Sequence, residues 1–409
     1  MHSSVTAPET WTAAGSPHDL PYDTEITAAV TIEPCAVVTI AAGKTITVAA
    51  GGSLVAAGTS DQPISIGAEP GAAPWASIRF IGGTGKLAYT TLDHGGDPLN
   101  SGPQYAAVLD VRGGSDITKL QVLELDHVTV SASASQGLYL NAGGQLTDSS
   151  TALTVTGSVG APIHSWTSAA GTIPFGSYTG NGSDVIILSA MGCSTAGAVG
   201  EGVSNGTVTL HQLGVPYLVG HSASAGDLCV TGGPTGNPLA TLVIEAGVTM
   251  RFKMGGQMRI DEFEGTAPAT GALVAVGTAA APIVFTSAQP TPGAGDWNGI
   301  WLLEVPNAST KIAYAKVEYA GAASVTGSAS CPISSSAIND AAIRIFGPPS
   351  GEIVTNTTIS DCASNGIDRG YQGPPTDFLP TNTFTNVAGC KETYPKDTNG
   401  ACPTSVPCP

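Results

Sequence analysis

Apolar residues alternate with small polar ones over short stretches of four to seven residues, as in Val38-Thr39-Ile40, Thr45-Ile46-Thr47-Val48 and Val128-Thr129-Val130. A period of two places successive side chains on opposite sides of an extended strand, so each run buries one face. Gly, Asn, Asp and Ser punctuate the runs and predict tight turns between them. No segment sustains the i, i+3, i+4, i+7 spacing of an amphipathic helix. Short strands and frequent turns fit a β-solenoid or a large sandwich. Small strand residues favour the solenoid, whose narrow coil interior admits Val, Ile, Ala and Thr more easily than bulky aromatics.

The pattern occurs twice. GSLVAAGTSDQPISI (52–66) aligns without gaps to GALVAVGTAAAPIVF (271–285), with eight of 15 positions identical at an offset of 219. Upstream, residues 31–48 align to 243–260 at offset 212. Downstream, 75–80 meets 297–302 at 222, 86–96 meets 311–321 at 225, and 124–137 meets 353–366 at 229. The offset only grows, so the second copy carries small insertions in a conserved order, which is the signature of a duplicated repeat unit.

Within these copies, IEPC…GSLVAAGT…PISI…W and IEAG…GALVAVGT…PIVFTS…GDWNGIWL resemble a repeat of secreted bacterial right-handed parallel β-helix proteins, in the broad pectate-lyase-like superfamily. IPFGSYTGN (173–181) and GVPYLVG (214–220) are similar to links between such repeats, and the likeness spans roughly residues 20–390. The expected fold is all-β: a right-handed parallel β-helix, or β-solenoid, made of two related halves. The expected organisation is a lead-in or cap (1–20), a first repeat unit (21–140), connecting coils (141–225), a second repeat unit (226–385) and a Cys/Pro-rich tail or cap (386–409). The superfamily contains lyases, hydrolases and adhesins, so the resemblance implies architecture more than activity.

Composition narrows the function classes. Charged residues are 11% of the chain, against about 25% in ordinary soluble domains. The formal charge of −17 opposes a nucleic-acid partner, which needs a basic footprint. No apolar run approaches the roughly 18 residues of a membrane helix. Eight cysteines (Cys35, Cys193, Cys229, Cys331, Cys362, Cys390, Cys402 and Cys408) contain no CxxC pair, and predict four disulfides in an oxidising compartment. Cys35 stands where the second copy has Gly247, which suggests a local disulfide. The start, MHSSVTAPETW, has no charged stretch followed by an apolar one and reads as a mature or trimmed chain, with any signal peptide removed. The expected location is therefore secreted or cell-surface.

Candidate chemistry concentrates where the copies differ. Thr39, Ala41, Thr45 and Thr47 become Arg251, Lys253, Gln257 and Arg259, placing three bases on alternate, outward positions of two strands. Extra residues then follow, beginning Asp261-Glu262-Phe263-Glu264. One reading is an anion-gripping strip beside a loop (Asp261, Glu262, Glu264) offering Ca²⁺ oxygen ligands; the plainer one is a surface ion-pair network. On the next coil Trp301 replaces Arg79, and Trp297 matches Trp75. An outward Trp is a flat platform suited to sugar rings, with Glu304 beyond it; alternatively Trp297 fills a turn and Trp301 is covered by a loop. Asp93-His94 and Asp126-His127 could form an acid/base cluster. Because His94 aligns with Tyr319 and His127 with Asn356, turn filling is the simpler account.

The resemblance implies that a lyase would neutralise a uronate, usually with Ca²⁺, and abstract a proton with Arg or Lys. None of the usual lyase signatures surrounds Arg251, Lys253 and Arg259. A hydrolase would need paired Asp residues on adjacent strands, and no such element occurs. The expected function is a non-catalytic, carbohydrate-binding or adhesive surface protein, with polysaccharide or cell-surface glycan as partner and no cofactor except possible Ca²⁺. A polysaccharide lyase or glycoside hydrolase working along the β-helix groove is the alternative, and a structural spacer the third.

Overall fold

The computed structural model describes residues 2, 4–98, 106–113, 121–190, 202–220, 226–232, 239–261, 270–324, 326, 330–331 and 339–402. It is an all-β, right-handed parallel β-helix. Among the described residues the helical elements are two 3₁₀ turns, Ala13–Gly15 and Thr167–Thr172. Residues 1–187 with 213–215 form one compact unit, and 188–212 with 216–409 a second.

In the first unit every third strand stacks in parallel on the one before it. The first sheet runs through Ser4–Val5, Thr24–Ile26, Thr45–Ala49, Ser77–Ile81, Ala107–Arg112, Gln136–Asn141 and Ile163–Trp166. The second runs through Glu9–Trp11, Ala29–Ile32, Ser53–Ala57, Thr84–Ala88, Gln121–Asp126 and Gln145–Leu146. The third runs through His18–Leu20, Val37–Ile40, Ile64–Ala68, Thr90–Asp93, Thr129–Ser131, Leu153–Thr156 and Gly176–Ser177. Inward residues stack in register from coil to coil. Ile46, Ile78, Leu109, Leu138 and Ile163 form one buried column. Val38, Ile66, Leu92, Val130 and Val155 form another. Each such side chain contributes about 1.5–3 kcal/mol by leaving water.

The second unit repeats the plan. Its sheets run through Tyr217–Val219, Thr249–Phe252, Ile283–Ser287, Ala315–Glu318, Thr358–Cys362 and Thr383–Val387; through Thr207–Leu210, Ala240–Ile244, Gly271–Val276, Lys311–Ala313 and Val354–Thr355; and through Asp227–Val230, Gln257–Ile260, Gly299–Leu302, Ala341–Ile345 and Asn365–Arg369.

The duplication holds at the level of register. Val55 pairs with Lys86 and its equivalent Val274 with Lys311; Ile64 pairs with Thr90 and Ile283 with Ala315. A side chain on Gly52 would meet the carbonyl of Ile26 at 2.1 Å, and one on its equivalent Gly271 that of Val230 at 2.2 Å. Corner residues also agree: Cys35 and Gly247 both have positive φ, as do Tyr89 and Tyr314, His94 and Tyr319, and His127 and Asn356. The left-handed corner conformation explains why the second copy has glycine at 247.

The disulfide expectation is corrected. Cys331 and Cys402 are joined, and Cys229 and Cys390 are also disulfide-bonded. Cys35 and Cys362 are free thiols. Cys35 sits on an exposed corner, so no local disulfide forms there. Cys362 is buried, its thiol bonded to the carbonyl of Ser360 at 3.4 Å. Cys193 and Cys408 lie outside the described residues.

Candidate functional site

Along the third sheet of the second unit, Arg259 pairs in register with Trp301, Trp301 with Arg344, and Arg344 with Asp368. All four project from the outward side, as the alternation predicts, yet the column is closed over. Trp301 is 4% exposed and Arg344 and Asp368 are 0%. Arg344 Nη1 donates to Ser324 Oγ at 3.1 Å and Nη2 to the carbonyl of Thr326 at 2.8 Å, so residues before the next strand cover the sheet. The Arg344 guanidinium lies 4.7 Å over the Trp301 ring, and its Nε is 3.6 Å from Asp368. Asp340 accepts from the Ser324 hydroxyl at 2.5 Å and from Arg344 at 3.4 Å. This buried charge network has no signal in the sequence apart from the outward position of Arg344.

The predicted strip is correspondingly dispersed. Trp301 is not an open platform, because Arg344 and the covering residues occupy its surroundings. Trp297 is a core residue: it is 0% exposed, stacks on Phe252 at 4.2 Å and 6°, and donates from Nε1 to the carbonyl of Glu318 at 2.8 Å. Trp75 does the same in the first unit, donating to the carbonyl of Asp93 at 2.8 Å. Both indoles donate from the coil interior to a backbone carbonyl. Arg251 is exposed. Lys253 is half-buried, and burial lowers its pKa. Arg259 reaches Asp227 at 3.4 Å, and Glu304 is half-buried.

Asp261 is buried, and its Oδ1 accepts from Thr270 N (3.0 Å), Thr270 Oγ1 (2.8 Å) and Gly271 N (2.9 Å). It ties residues 261 and 270–271 together, and burial raises its pKa against the lowering effect of those donors. Glu262 and Glu264 lie outside the described residues, so the Ca²⁺ reading rests on residues of which only Asp261 is described. Among the described residues no three His, Cys, Asp or Glu side chains are grouped to hold a metal.

The first unit has a similar closed column. Arg79, Asp110, Tyr139 and His164 follow one another in register. Asp110 is 2% exposed and takes a two-pronged contact from Arg112 (Nε 2.9 Å, Nη2 2.7 Å), while Tyr139 stacks on His164 at 4.4 Å. The Asp110 carboxylate raises the Arg112 pKa, against the lowering effect of burial.

The third sheet of the first unit is different. Its outward column Ser65, Thr91, Thr129, Thr154 and Ser177 continues in register over five coils. All five are exposed or half-exposed, and their hydroxyls meet no partner among the described residues. The neighbouring column is Asp19, Thr39, Gly67, Asp93, Ser131 and Thr156, in which Ser131 donates to Asp93 at 2.6 Å. Each Asp–His pair is closed on itself at a corner, His94 Nδ1 to Asp93 at 2.5 Å and His127 Nδ1 to Asp126 at 2.6 Å. The corner His residues thus have a structural explanation. The Tyr89 and His127 rings stack one coil apart at 4.6 Å and 4°, beside Thr91 and Thr129. An apolar cavity of about 540 Å³ also lies near the C-terminus, lined by Pro374, Pro375, Tyr394, Pro395 and Cys402 among others.

Comparison with protein-family models, curated proteins and solved structures finds no match to this chain. No helix among the described residues is long and apolar enough to cross a membrane.

Proposed function

We propose that the protein is a secreted or cell-surface β-helix of the pectate-lyase-like superfamily that binds carbohydrate without acting on it. One observation carries the reading: the third sheet of the first unit offers five successive coils of unpartnered hydroxyls to solvent, whereas the charged outward columns at Asp110 and Arg344 are folded into the protein's own ion pairs. Hydroxyl and carboxylate groups at fixed spacing on a rigid sheet are suited to a polymer that presents repeating hydroxyls. Disulfide-bonded Cys331, Cys402, Cys229 and Cys390 support an oxidising location.

The test is retention on a panel of insoluble neutral and acidic polysaccharides, with the supernatant assayed for reducing and unsaturated ends in the presence and absence of Ca²⁺. Retention without new ends is the expected result. New ends would establish the lyase or hydrolase alternative, and absence of retention on every polymer would leave the spacer reading.

A further inference from the structure

We infer that the open face of the first unit takes a neutral, extended, ribbon-like polysaccharide lying parallel to the direction of coil stacking. This rests on the carbohydrate-binding reading and specifies its ligand.

Three features define the occupant. The first is spacing. Consecutive coils rise about 4.8 Å, close to the length of one pyranose residue in an extended β-linked chain, and the second column lies about 6.6 Å across the strands. Ser65, Thr91, Thr129, Thr154 and Ser177 therefore offer one hydroxyl per sugar along the chain. Gly67 and the short side chains around it keep the surface flat.

The second is charge. Neither column contains Lys or Arg, and the two acids, Asp19 and Asp93, are each engaged by a neighbouring hydroxyl, Thr39 and Ser131. On a chain of net charge −17 such a face disfavours a uronate polymer. The Asp93 carboxylate and the Ser131 hydroxyl oxygen keep acceptor lone pairs for uncharged sugar hydroxyls.

The third is the aromatic edge. Tyr89 is half-buried and His127 exposed, with half of the imidazole side-chain surface open. Their parallel rings border the hydroxyl column two residues before Thr91 and Thr129, where the C–H face of a sugar could pack against them.

The second unit is an internal contrast. Its equivalent columns are Thr249, Val284, Lys316, Thr358 and Thr383, and Arg251, Thr286, Glu318, Ser360 and Thr385. Charges replace hydroxyls there, and Asn356 stands where His127 would complete the stack with Tyr314.

The experiment measures depletion of the full chain by amorphous cellulose, granular starch and cross-linked polygalacturonate, at low and high salt. Cellulose should retain the protein equally at both salts, and polygalacturonate should not. The triple variant Thr91→Val, Thr129→Val, Thr154→Val keeps shape and branching while removing three hydroxyls, so affinity should fall at least about tenfold. Tyr89→Ala should weaken it about five- to tenfold. Arg251→Ala with Lys316→Ala, on the second unit, should change nothing. The thermal midpoint of each variant checks folding, and the set Thr91→Val, Thr129→Ser, Thr154→Val, which keeps one of the three hydroxyls, should recover part of the loss. Preference for polygalacturonate, stronger retention on starch than on cellulose, salt-sensitive retention, or an unaffected triple variant would each overturn the inference while leaving carbohydrate binding standing. Retention on none of the three would remove both.

Discussion

Trp297→Ala separates a core residue from a ligand platform. The indole is fully buried, and such a side chain removes about 150–250 Å² from water. At about 25 cal/mol per Å² that is about 4–6 kcal/mol. Alanine retains a little of it, and the cavity left beside Phe252 relaxes only in part, so a loss of about 3–5 kcal/mol is expected. The carbonyl of Glu318 also loses its donor, adding about 1 kcal/mol. Trp297→Phe isolates that second contribution and should cost only about 1–3 kcal/mol. In a unit of roughly 200 residues each kcal/mol moves the midpoint about 2–4 °C, so the alanine variant should melt about 8–24 °C lower. Trp75→Ala should also be destabilising, because that indole is equally buried and likewise donates to a backbone carbonyl. The assay is calorimetry with near-ultraviolet circular dichroism, run beside cellulose retention below the transition. An alanine variant that melts with the parent but loses retention would place Trp297 on a binding surface and refute the reasoning.

Other consequences are equally direct. Native protein at pH 8 should be alkylated at exposed Cys35 but not at Cys362, whose thiol burial pushes up to about 12; peptide mapping should find Cys362 labelled only after unfolding. Replacing Cys331 and Cys402 by Ser opens a crosslink spanning 71 residues and should cost up to about 4 kcal/mol in denaturant unfolding, on the chain-entropy account. Asp368→Ala should cost about 3–5 kcal/mol by leaving the Arg344 guanidinium buried beside an empty position, whereas Arg251→Ala should be close to neutral in the same measurement. Asp184 accepts from the N–H groups of Asn181 and Gly180, which hold its pKa below the usual carboxylate value. Its contribution is complete above the unfolded-state pKa and is lost as pH falls through the lower folded value; the exchange protection of residues 180–184, corrected for the intrinsic rate at each pH, should therefore fall in acid in the parent but not in Asp184→Asn.

The architecture was legible because it depends on local rules that leave periodic traces. Val38, Ile40, Ile46 and Val48 alternate with Thr39, Thr45 and Thr47 because every strand has one inward side, and the duplicated turns repeat because left-handed corners constrain residue type. The Cys35/Gly247 difference marked such a corner correctly, although the inference of a disulfide failed: backbone conformation is local, while pairing needs a second cysteine at the right distance on another coil.

Exposure was not legible, for a different reason. A period of two tells which side of a strand a residue occupies but not whether anything lies over it. Trp301 and Thr129 both have outward positions; one is enclosed by Arg344 and the residues bonded to it, the other faces water. Among the described residues the cover includes Ser324 and Thr326, small polar residues whose type carries no pattern that would announce it. Bulky or charged outward residues drew attention as binding groups, yet desolvation makes burial of such residues depend on partners: Asp227 reaches Arg259, and Arg344 lies over Trp301. Arg344 and Arg112, which the sequence did not mark as candidates, are held in the same way by Asp340, Asp368 and Asp110. Thr and Ser can stay in water without such support. In this fold the accessible surface is therefore to be sought where the outward columns are chemically plain and regular, because a buried outward residue such as Trp301 or Arg344 is taken up by its neighbours.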